Sequence, residues 1–290
     1  MRKYTPYLLI SPIVALIGCV MIYPLGKVFY LSLQSYNPAR PFNNGFIGMK
    51  NFADIFTSDE FWEALNVSIK WVVAEVVLQL VFGMIIALIL NQKFTGRGIF
   101  RAVTFIPWAL SGVLAAVLFQ LIFNEHIGVL NDLLTKTGLI KEPVAWLANP
   151  KLVLGSVIVA ELWRGIPFFA ISLLAAMQGI PQDLYEAAIV DGGGRLQTFR
   201  YITLPLLKDT IVLTTLLRTI WEFNSVDLIY SLTGGGPVGK TTTVSLLIAN
   251  QALHTSNYGY GSAISVISFC ILAVFAVIYI KLSGFGKEKE

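Results

Sequence analysis

Long apolar segments separated by short polar stretches dominate this chain. A bilayer core is about 30 Å thick and needs roughly 20 apolar residues in a helix, so six segments are long enough to cross it. The pattern therefore predicts an all-α integral membrane protein with six transmembrane helices, which form a single transmembrane domain over residues 1–290. The predicted spans are 7–33, 68–90, 102–123, 152–177, 206–232 and 262–282.

The composition supports this class. Hydrophobic residues make up 56% of the 290 residues and charged residues only 13%, whereas soluble domains average about 45–50% apolar and about 25% charged. The longest loop, about 34–67, is too short to form an independent core. The net charge of +4 does not indicate nucleic-acid binding, because membrane insertion alone collects basic residues on the cytosolic side.

The positions of Lys and Arg predict the orientation. With six spans, both termini lie on the same side of the membrane. The short loop with Lys93, Arg97 and Arg101 contains no acidic residue and is typical of the cytosolic side. Both termini are therefore predicted to be cytosolic. Eleven of the 21 basic residues then lie on that side, namely Arg2, Lys3, Lys93, Arg97, Arg101, Arg195, Arg200, Lys208, Lys281, Lys287 and Lys289.

Charged residues within two predicted spans mark candidate sites, because such residues usually face a bundle interior or a water-filled path. Glu161 and Arg164 lie three residues apart, and Arg218 and Glu222 four apart, so each pair can meet along one helix face. The sequence leaves open whether the two pairs neutralise each other or contact a substrate. Five other residues are candidates for a substrate path that binds hydroxyl groups against an aromatic ring: Trp163, Trp221, Asn224, Asp227 and Tyr230.

A glycine-rich segment, 234–241, satisfies the phosphate-loop pattern G-x-x-x-x-G-K-[ST] letter for letter. The context argues against nucleotide binding. A phosphate loop follows a β-strand, whereas a predicted membrane helix precedes this segment, and Pro237 removes one amide donor. The chain itself is therefore expected to bind no cofactor. It is also expected to bind no metal, because His126 and His254 lie in predicted outer loops and the sequence has no H-E-x-x-H motif or cysteine cluster.

The segment 178–205 between the fourth and fifth spans is predicted to form two short helices at the membrane surface. Pro181 suits the first turn of a helix, and Asp183 and Glu186 suit its positive N-terminal end. The glycines at 192–194 end that helix, and a second one can follow from Arg195 to Pro205.

The residues in this segment resemble the EAA loop of permease subunits of binding-protein-dependent ABC importers. The matching positions are Glu186, Ala187, Ala188, Asp191 and Gly192, followed by Ile202, Leu204 and Pro205. The segment departs from the family pattern at Gly193, where alanine is usual, and at Asp209, near which proline is common. Further similarity to the sugar-transporting branch, of the maltose and glycerol-phosphate type, lies at 11–12, 22–24, 223–227, 232–237 and 258–263.

This resemblance implies a MetI-like importer permease in a bacterial cell membrane, in which the EAA loop docks on a separate ATPase. Within the branch, the chain is similar to the first of two unlike permease subunits. The implied partners are a second permease subunit forming a heterodimer, a cytosolic ATPase dimer that holds ATP and Mg²⁺, an extracytoplasmic solute-binding protein, a carbohydrate substrate and membrane lipid.

Three other functions are alternatives to sugar import. The first is an ABC permease for a non-sugar solute such as a polyol phosphate. The second is a secondary transporter or channel, which would need ion-coupling sites and an internal repeat. The third is an ATP-binding enzyme, and it depends on the match at 234–241 alone.

Overall fold

A computed structural model describes residues 5–285, and most of that part of the chain is helical. The N-terminal half contains α1 (Thr5–Ile17), α2 (Tyr23–Ser32), α3 (Lys50–Phe56), α4 (Asp59–Asn91), α5 (Arg97–Ala109), α6 (Gly112–Ile122) and α7 (Val129–Lys136). The C-terminal half contains α8 (Val153–Gln178), α9 (Gln182–Val190), α10 (Arg195–Thr198), α11 (Leu204–Leu206), α12 (Lys208–Phe223), α13 (Asp227–Thr233), α14 (Val244–Leu253) and α15 (Tyr258–Ser283).

Short irregular elements complete the description. A two-stranded antiparallel sheet pairs β1 (Gln34–Ser35) with β2 (Gly45–Phe46). Two π-helical turns, Gly18–Ile22 and Phe199–Thr203, connect neighbouring helices, and a 3₁₀ turn, Pro41–Asn43, lies between β1 and β2.

Four helical segments between residues 5 and 285 are long and apolar enough to cross a membrane, and a bent pair raises the number to as many as five. The four are Leu9–Ser32, Asp59–Asn91, Val153–Gln178 and Tyr258–Ser283. They coincide with the first, second, fourth and sixth predicted spans, although the second begins nine residues earlier than predicted. The structure thus supports a multi-pass helical membrane protein.

The predicted third and fifth spans differ from continuous helices. Residues 102–123 fall in α5 and α6, which are bent by 98°. Ser111 is extended and its hydroxyl accepts a hydrogen bond from the Leu114 amide at 3.3 Å, so a new helix begins there. Residues 206–232 are divided between α11, α12 and α13, with a break at 224–226.

The basic residues Arg2, Lys3, Lys287 and Lys289, which contribute to the predicted orientation, lie outside the described residues. The cytosolic location of both termini therefore stays a prediction from the sequence.

The contacts divide the chain into two units. Within the first, residues 5–63 and 244–273, the β1–β2 hairpin lies against the start of α15, where the Gly259 amide donates to the Tyr36 carbonyl at 3.1 Å. A Cβ at Gly259 would overlap the Gln34 carbonyl, so only glycine fits this close approach. Asn51 fixes the hairpin by donating to the carbonyls of Ser32 and Gln34, both at 2.9 Å.

The second unit contains residues 64–243 and 274–285. Its apolar core joins the end of α4 to the end of α8 and to the turn before α12. The fully or nearly fully buried members of this core are Ala87, Leu90, Phe169, Leu173, Leu174, Met177 and Leu207. The EAA loop continues directly from this core, and the charged residues Glu75, Glu161 and Arg164 lie on the same two long helices, α4 and α8.

Candidate functional site

The first helix of the EAA loop forms as the sequence predicts. Pro181 occupies the N-cap position of α9, and Asp183 lies in its first turn. The helix ends at Val190 with Asp191 as its C-cap, and Gly192 follows with a φ of +76°. This left-handed conformation favours glycine, which explains the glycine at this position of the motif.

The second helix of the loop is less regular than predicted. Residues 195–206 form the short helix α10, the π-helical turn Phe199–Thr203 and the short helix α11. One hydrogen bond joins the two halves of the loop, between the hydroxyls of Tyr185 and Thr203 at 3.2 Å. A Cβ at Gly193 would lie 2.8 Å from the Ala188 carbonyl oxygen, so the alanine that is usual in the family would require a shift here.

The EAA residues are presented outward. The Glu186 side chain is exposed, and its carboxylate accepts a hydrogen bond from the Gln182 amide, one turn earlier, at 3.0 Å. Six large apolar side chains of the loop are also exposed, although apolar residues usually bury their surface. They are Leu184, Ile189, Val190, Leu196, Tyr201 and Leu204. An acidic group surrounded by exposed apolar side chains is suited to docking on another protein.

A buried charged network lies inside the second unit and involves α4, α8 and α12. Arg164 binds Glu161 with two hydrogen bonds of 2.8 Å. Arg218 lies 2.9 Å from Glu161 and 2.6 Å from Glu222. Both pairs expected from helical spacing are therefore formed, and the Arg218–Glu161 contact joins them into one network.

Gln79 of α4 completes the network. Its carbonyl oxygen accepts from Arg218 Nε at 2.7 Å, and its amide donates to Glu75 at 2.7 Å and to Glu222 at 3.3 Å. Sequence reasoning did not assign a role to Gln79. The available signal was the spacing of four between Glu75 and Gln79 in the otherwise apolar stretch 71–90.

The network is almost inaccessible and has an excess of acidic groups. Glu161 is 1% exposed, whereas Arg164 is 19% exposed and forms its outer edge. Three carboxylates face two guanidinium groups, and Glu75 Oε1 and Glu222 Oε2 lack a hydrogen-bond partner among the described residues. Because an unpaired buried charge is costly, the network is held by the pairing of its members and not by solvent.

Four of the five residues predicted for the substrate path lie at or next to the break between α12 and α13, whereas Trp163 lies in α8. Trp163 contacts Phe119 and Trp221 contacts Phe168, with ring centroids 5.7 Å and 5.2 Å apart. Asn224 is exposed and donates to the Ile220 carbonyl at 2.8 Å. The two tryptophans thus pack on different phenylalanines.

Asp227, the fourth predicted path residue, has a partner on another helix. Its carboxylate accepts a hydrogen bond from the Gly112 amide at 3.0 Å, which places a negative charge at the positive N-terminus of α6. Tyr230 follows one turn later in α13, and its ring is partly exposed. The structure therefore brings Asp227 to the bend between α5 and α6, a contact that the sequence did not predict.

The glycine-rich segment 234–241 folds as a loop that is held by hydrogen bonds to its own carbonyl groups. It follows the helix α13 and not a strand. The Thr241 side chain is fully buried and donates to the Gly236 carbonyl at 3.0 Å, while the Thr242 hydroxyl donates to the Gly235 carbonyl at 3.2 Å. These threonines stabilise the turn through its own carbonyl groups.

Comparison with known proteins assigns this arrangement to a family. Residues 79–283 match the family of binding-protein-dependent transport system inner membrane components. The trehalose/maltose transport system permease protein MalF of Thermococcus litoralis is 37% identical over 97% of this chain and 94% of its own length. The trehalose transport system permease protein SugA of Mycobacterium tuberculosis is 35% identical over 96% of this chain and 88% of its own.

Two further proteins extend the comparison. The sulfoquinovosyl glycerol transport system permease protein SmoG of Agrobacterium fabrum is 33% identical over 95% of this chain and 89% of its own length. A chain of the bacterial ABC transporter involved in the import of the acidic polysaccharide alginate superposes with a TM-score of 0.85, at 23% identity, over 97% of this chain and 96% of that chain. This likeness shows the fold.

Proposed function

The chain belongs to the family of inner membrane components of binding-protein-dependent transport systems, and from this membership we propose that it moves a sugar or an oligosaccharide into the cell. It is a multi-pass transport subunit of an ABC importer with a mostly helical MetI-like permease fold, and not an enzyme. The observation that carries the sugar assignment is the 37% identity, over nearly the whole chain, to a permease named for trehalose and maltose.

Energy for transport would come from a separate ATPase dimer that holds ATP and Mg²⁺ and docks on the EAA loop. The exposed Glu186 carboxylate and the apolar side chains of Ile189 and Val190 support this proposal, because together they offer a charge and a hydrophobic surface. The Tyr185–Thr203 hydrogen bond would carry movement of α9 into the segment before α12.

A second permease subunit and a solute-binding protein would complete the importer. The proposed heterodimer follows from the resemblance to the first of two unlike permease subunits. An extracytoplasmic binding protein is consistent with the alginate transporter, which has been crystallised in complex with a pentasaccharide-bound periplasmic protein.

We further propose six crossings with both termini in the cytosol. In this arrangement α5 and α6 form the third crossing and α12 and α13 the fifth, each interrupted by a break. Broken helices within membrane transporters commonly lie beside the substrate path, where the protein interior satisfies their free backbone groups. Trp163, Trp221, Asn224, Asp227 and Tyr230 remain the proposed path residues, because most of them lie at or next to the α12–α13 break.

The deciding experiment is reconstitution of the permease with its second permease subunit, the ATPase and the solute-binding protein in proteoliposomes. ATP hydrolysis would be measured across a panel of disaccharides, oligosaccharides, sugar sulfonates and polyol phosphates. We expect stimulation by a neutral sugar or oligosaccharide. Stimulation by polyol phosphates alone would replace the sugar assignment with the non-sugar alternative, and solute uptake without the ATPase would indicate a secondary transporter.

A further inference from the structure

The basic stretch 93–101 borders a polar cleft at the ends of two long helices. The cleft has a volume of about 600 Å³, and its lining includes Lys93, Arg97, Arg101, Gln178, Gln182 and Tyr185. Asn91, the last residue of α4, and Gln178, the last residue of α8, both line it. Its position at the two helix ends places it at the boundary between hydrocarbon and water, on the side that the proposed function assigns to the cytosol.

The positive charges in this cleft are not neutralised by the protein. Among the described residues, none of Lys93, Arg97 and Arg101 forms an ion pair within 4 Å, and the lining contains no acidic side chain. The acidic Glu186 of the adjacent helix contacts Gln182 instead. Three cations that share one cleft without a counter-ion favour an anionic ligand.

The two arginines are also held in place for binding. Arg97 Nε donates to the Leu90 carbonyl at 2.5 Å. The side-chain amide of Gln178 is oriented with its oxygen toward the two arginines. This oxygen accepts hydrogen bonds from Arg97 Nη2, at 3.1 Å, and from Arg101 Nη2. Arg101 Nε is buried and lacks a hydrogen-bond partner in the described part of the chain. A buried donor without a partner beside an open polar cleft is a second indication that the cleft binds a ligand with hydrogen-bond acceptor atoms.

The other face of α5 indicates where that acceptor comes from. Ile99, Phe100, Val103 and Ile106 are all more than half exposed and cover an apolar face of α5, whereas Arg97 and Arg101 lie four residues apart on the face toward α8. A helix with an apolar outer face and basic residues at one end is suited to the membrane interface, where acyl chains and headgroups meet. A soluble anion would make no use of the apolar face.

We propose that Lys93, Arg97 and Arg101 bind the phosphate group of an anionic phospholipid at the cytosolic surface. The fork geometry of the guanidinium groups matches phosphate oxygens, and basic pockets between transmembrane helices on this side recognise such headgroups. Because Gln182 and Tyr185 of α9 line the same cleft, a bound headgroup contacts the helix that docks on the ATPase. The lipid would thereby influence how firmly the EAA loop is held.

The test uses the full transporter, purified from membranes and reconstituted in nanodiscs of phosphatidylcholine with or without phosphatidylglycerol. Retained phosphatidylglycerol is measured by native mass spectrometry. We expect the double variant R97Q/R101Q to retain about tenfold less of it, R97K/R101K to retain an intermediate amount, and K208Q/K281Q to resemble the unmodified protein. The control pair removes two exposed charges from the ends of other helices on the same side without touching the cleft.

Equal retention by R97Q/R101Q and K208Q/K281Q would overturn the proposal. Whether the ligand is instead a soluble phosphate is tested by adding inorganic phosphate or glycerol phosphate, and we expect neither to displace the lipid. The variant V103S, on the apolar face of α5, is expected to weaken lipid retention. Displacement by either soluble anion would assign the site to a free phosphate. If phosphatidylglycerol is retained by the two permease subunits purified without the ATPase but not by the full transporter, the ATPase covers the cleft and the proposal is overturned for the assembled importer.

This inference depends on the proposed orientation, but its readout does not depend on the transported solute. If the sugar panel fails while phosphatidylglycerol is retained through Arg97 and Arg101, the solute assignment is wrong and the lipid site stands. If sugar stimulates ATP hydrolysis normally while no phosphatidylglycerol is retained, the sugar assignment stands and the lipid site is wrong.

Discussion

Arg218 Nη2 lies 2.9 Å from Glu161 Oε1, and this contact joins two helices whose charged residues are already paired within each helix. Glu161 thus accepts from arginines on α8 and α12 at once. The arrangement explains why charges can lie within apolar helices. Glu161, Arg164, Arg218 and Glu222 each have an ionic partner, and Glu75 accepts a hydrogen bond from Gln79, so that α4, α8 and α12 meet at one place.

Replacing Arg218 with methionine is expected to destabilise the folded protein by about 3–5 kcal/mol, because it leaves Glu161 and Glu222 with fewer positive partners in a buried site. Thermal unfolding of the purified permease in detergent would measure the change. The matched control is K136Q, which removes an exposed ion pair at 2.7 Å with Asp132 and should cost about 1 kcal/mol or less. Equal midpoints for R218M and K136Q would show that the network contributes little to stability.

Gly165 is expected to tolerate no side chain, because a Cβ there would overlap the Gln79 amide and the Arg218 guanidinium. We predict that G165A displaces the ends of the Gln79 and Arg218 side chains from their hydrogen bonds in the buried network and lowers the unfolding midpoint, with a cost of about 1–3 kcal/mol. Gly155 provides a control on the same helix, since nothing lies within 4 Å of a Cβ at that position. A G165A protein as stable as G155A would contradict the close packing described for this site.

Glu186 is expected to couple the permease to its ATPase through its exposed carboxylate. E186K should abolish transport-linked ATP hydrolysis and weaken co-purification of the ATPase, while membrane insertion and the unfolding midpoint stay unchanged. E142K makes the same charge change at an exposed position outside the EAA loop and serves as the control. Normal ATPase stimulation by E186K would remove this residue from the docking surface.

Asn224 and Asp227 are expected to contact the substrate, so N224A and D227A should reduce uptake without releasing the ATPase. Asp227 also accepts from the Gly112 amide, and D227N separates its two roles because an asparagine oxygen can still accept that hydrogen bond. Uptake restored by D227N would indicate that Asp227 acts on the α6 N-terminus alone. Unchanged uptake in both alanine variants would exclude this substrate path.

The sequence was informative where a structural relationship is local. Helical spacing placed Glu161 beside Arg164 and Arg218 beside Glu222, and Pro181 with Gly192 bounded α9. These predictions succeed because residues three or four apart on one helix must be neighbours, and because proline and glycine restrict or permit particular backbone angles.

Contacts between helices were not predictable in this way. Nothing in the local pattern connects Gln79 to Arg218, or Gly112 to Asp227, since each pair is more than a hundred residues apart. The 98° bend between α5 and α6 was missed for a related reason. Pro107 lies within α5, and hydropathy measures how apolar a segment is but not whether it runs straight.

The order of synthesis gives the buried network a consequence for how the protein enters the membrane. Glu75 and Gln79 are made first, and α8 then arrives with Glu161 and Arg164 already matched to each other. Arg218, which reaches both Gln79 and Glu161, follows 57 residues after Glu161. Until the ribosome has passed Arg218, the part of the network already made contains two carboxylates, Glu75 and Glu161, and one guanidinium, Arg164. A helix that carries a carboxylate without a cationic partner partitions poorly into lipid. Stable insertion of α4 and α8 therefore requires α12, which carries Arg218. A chain truncated before α12 should be retained at the insertion machinery.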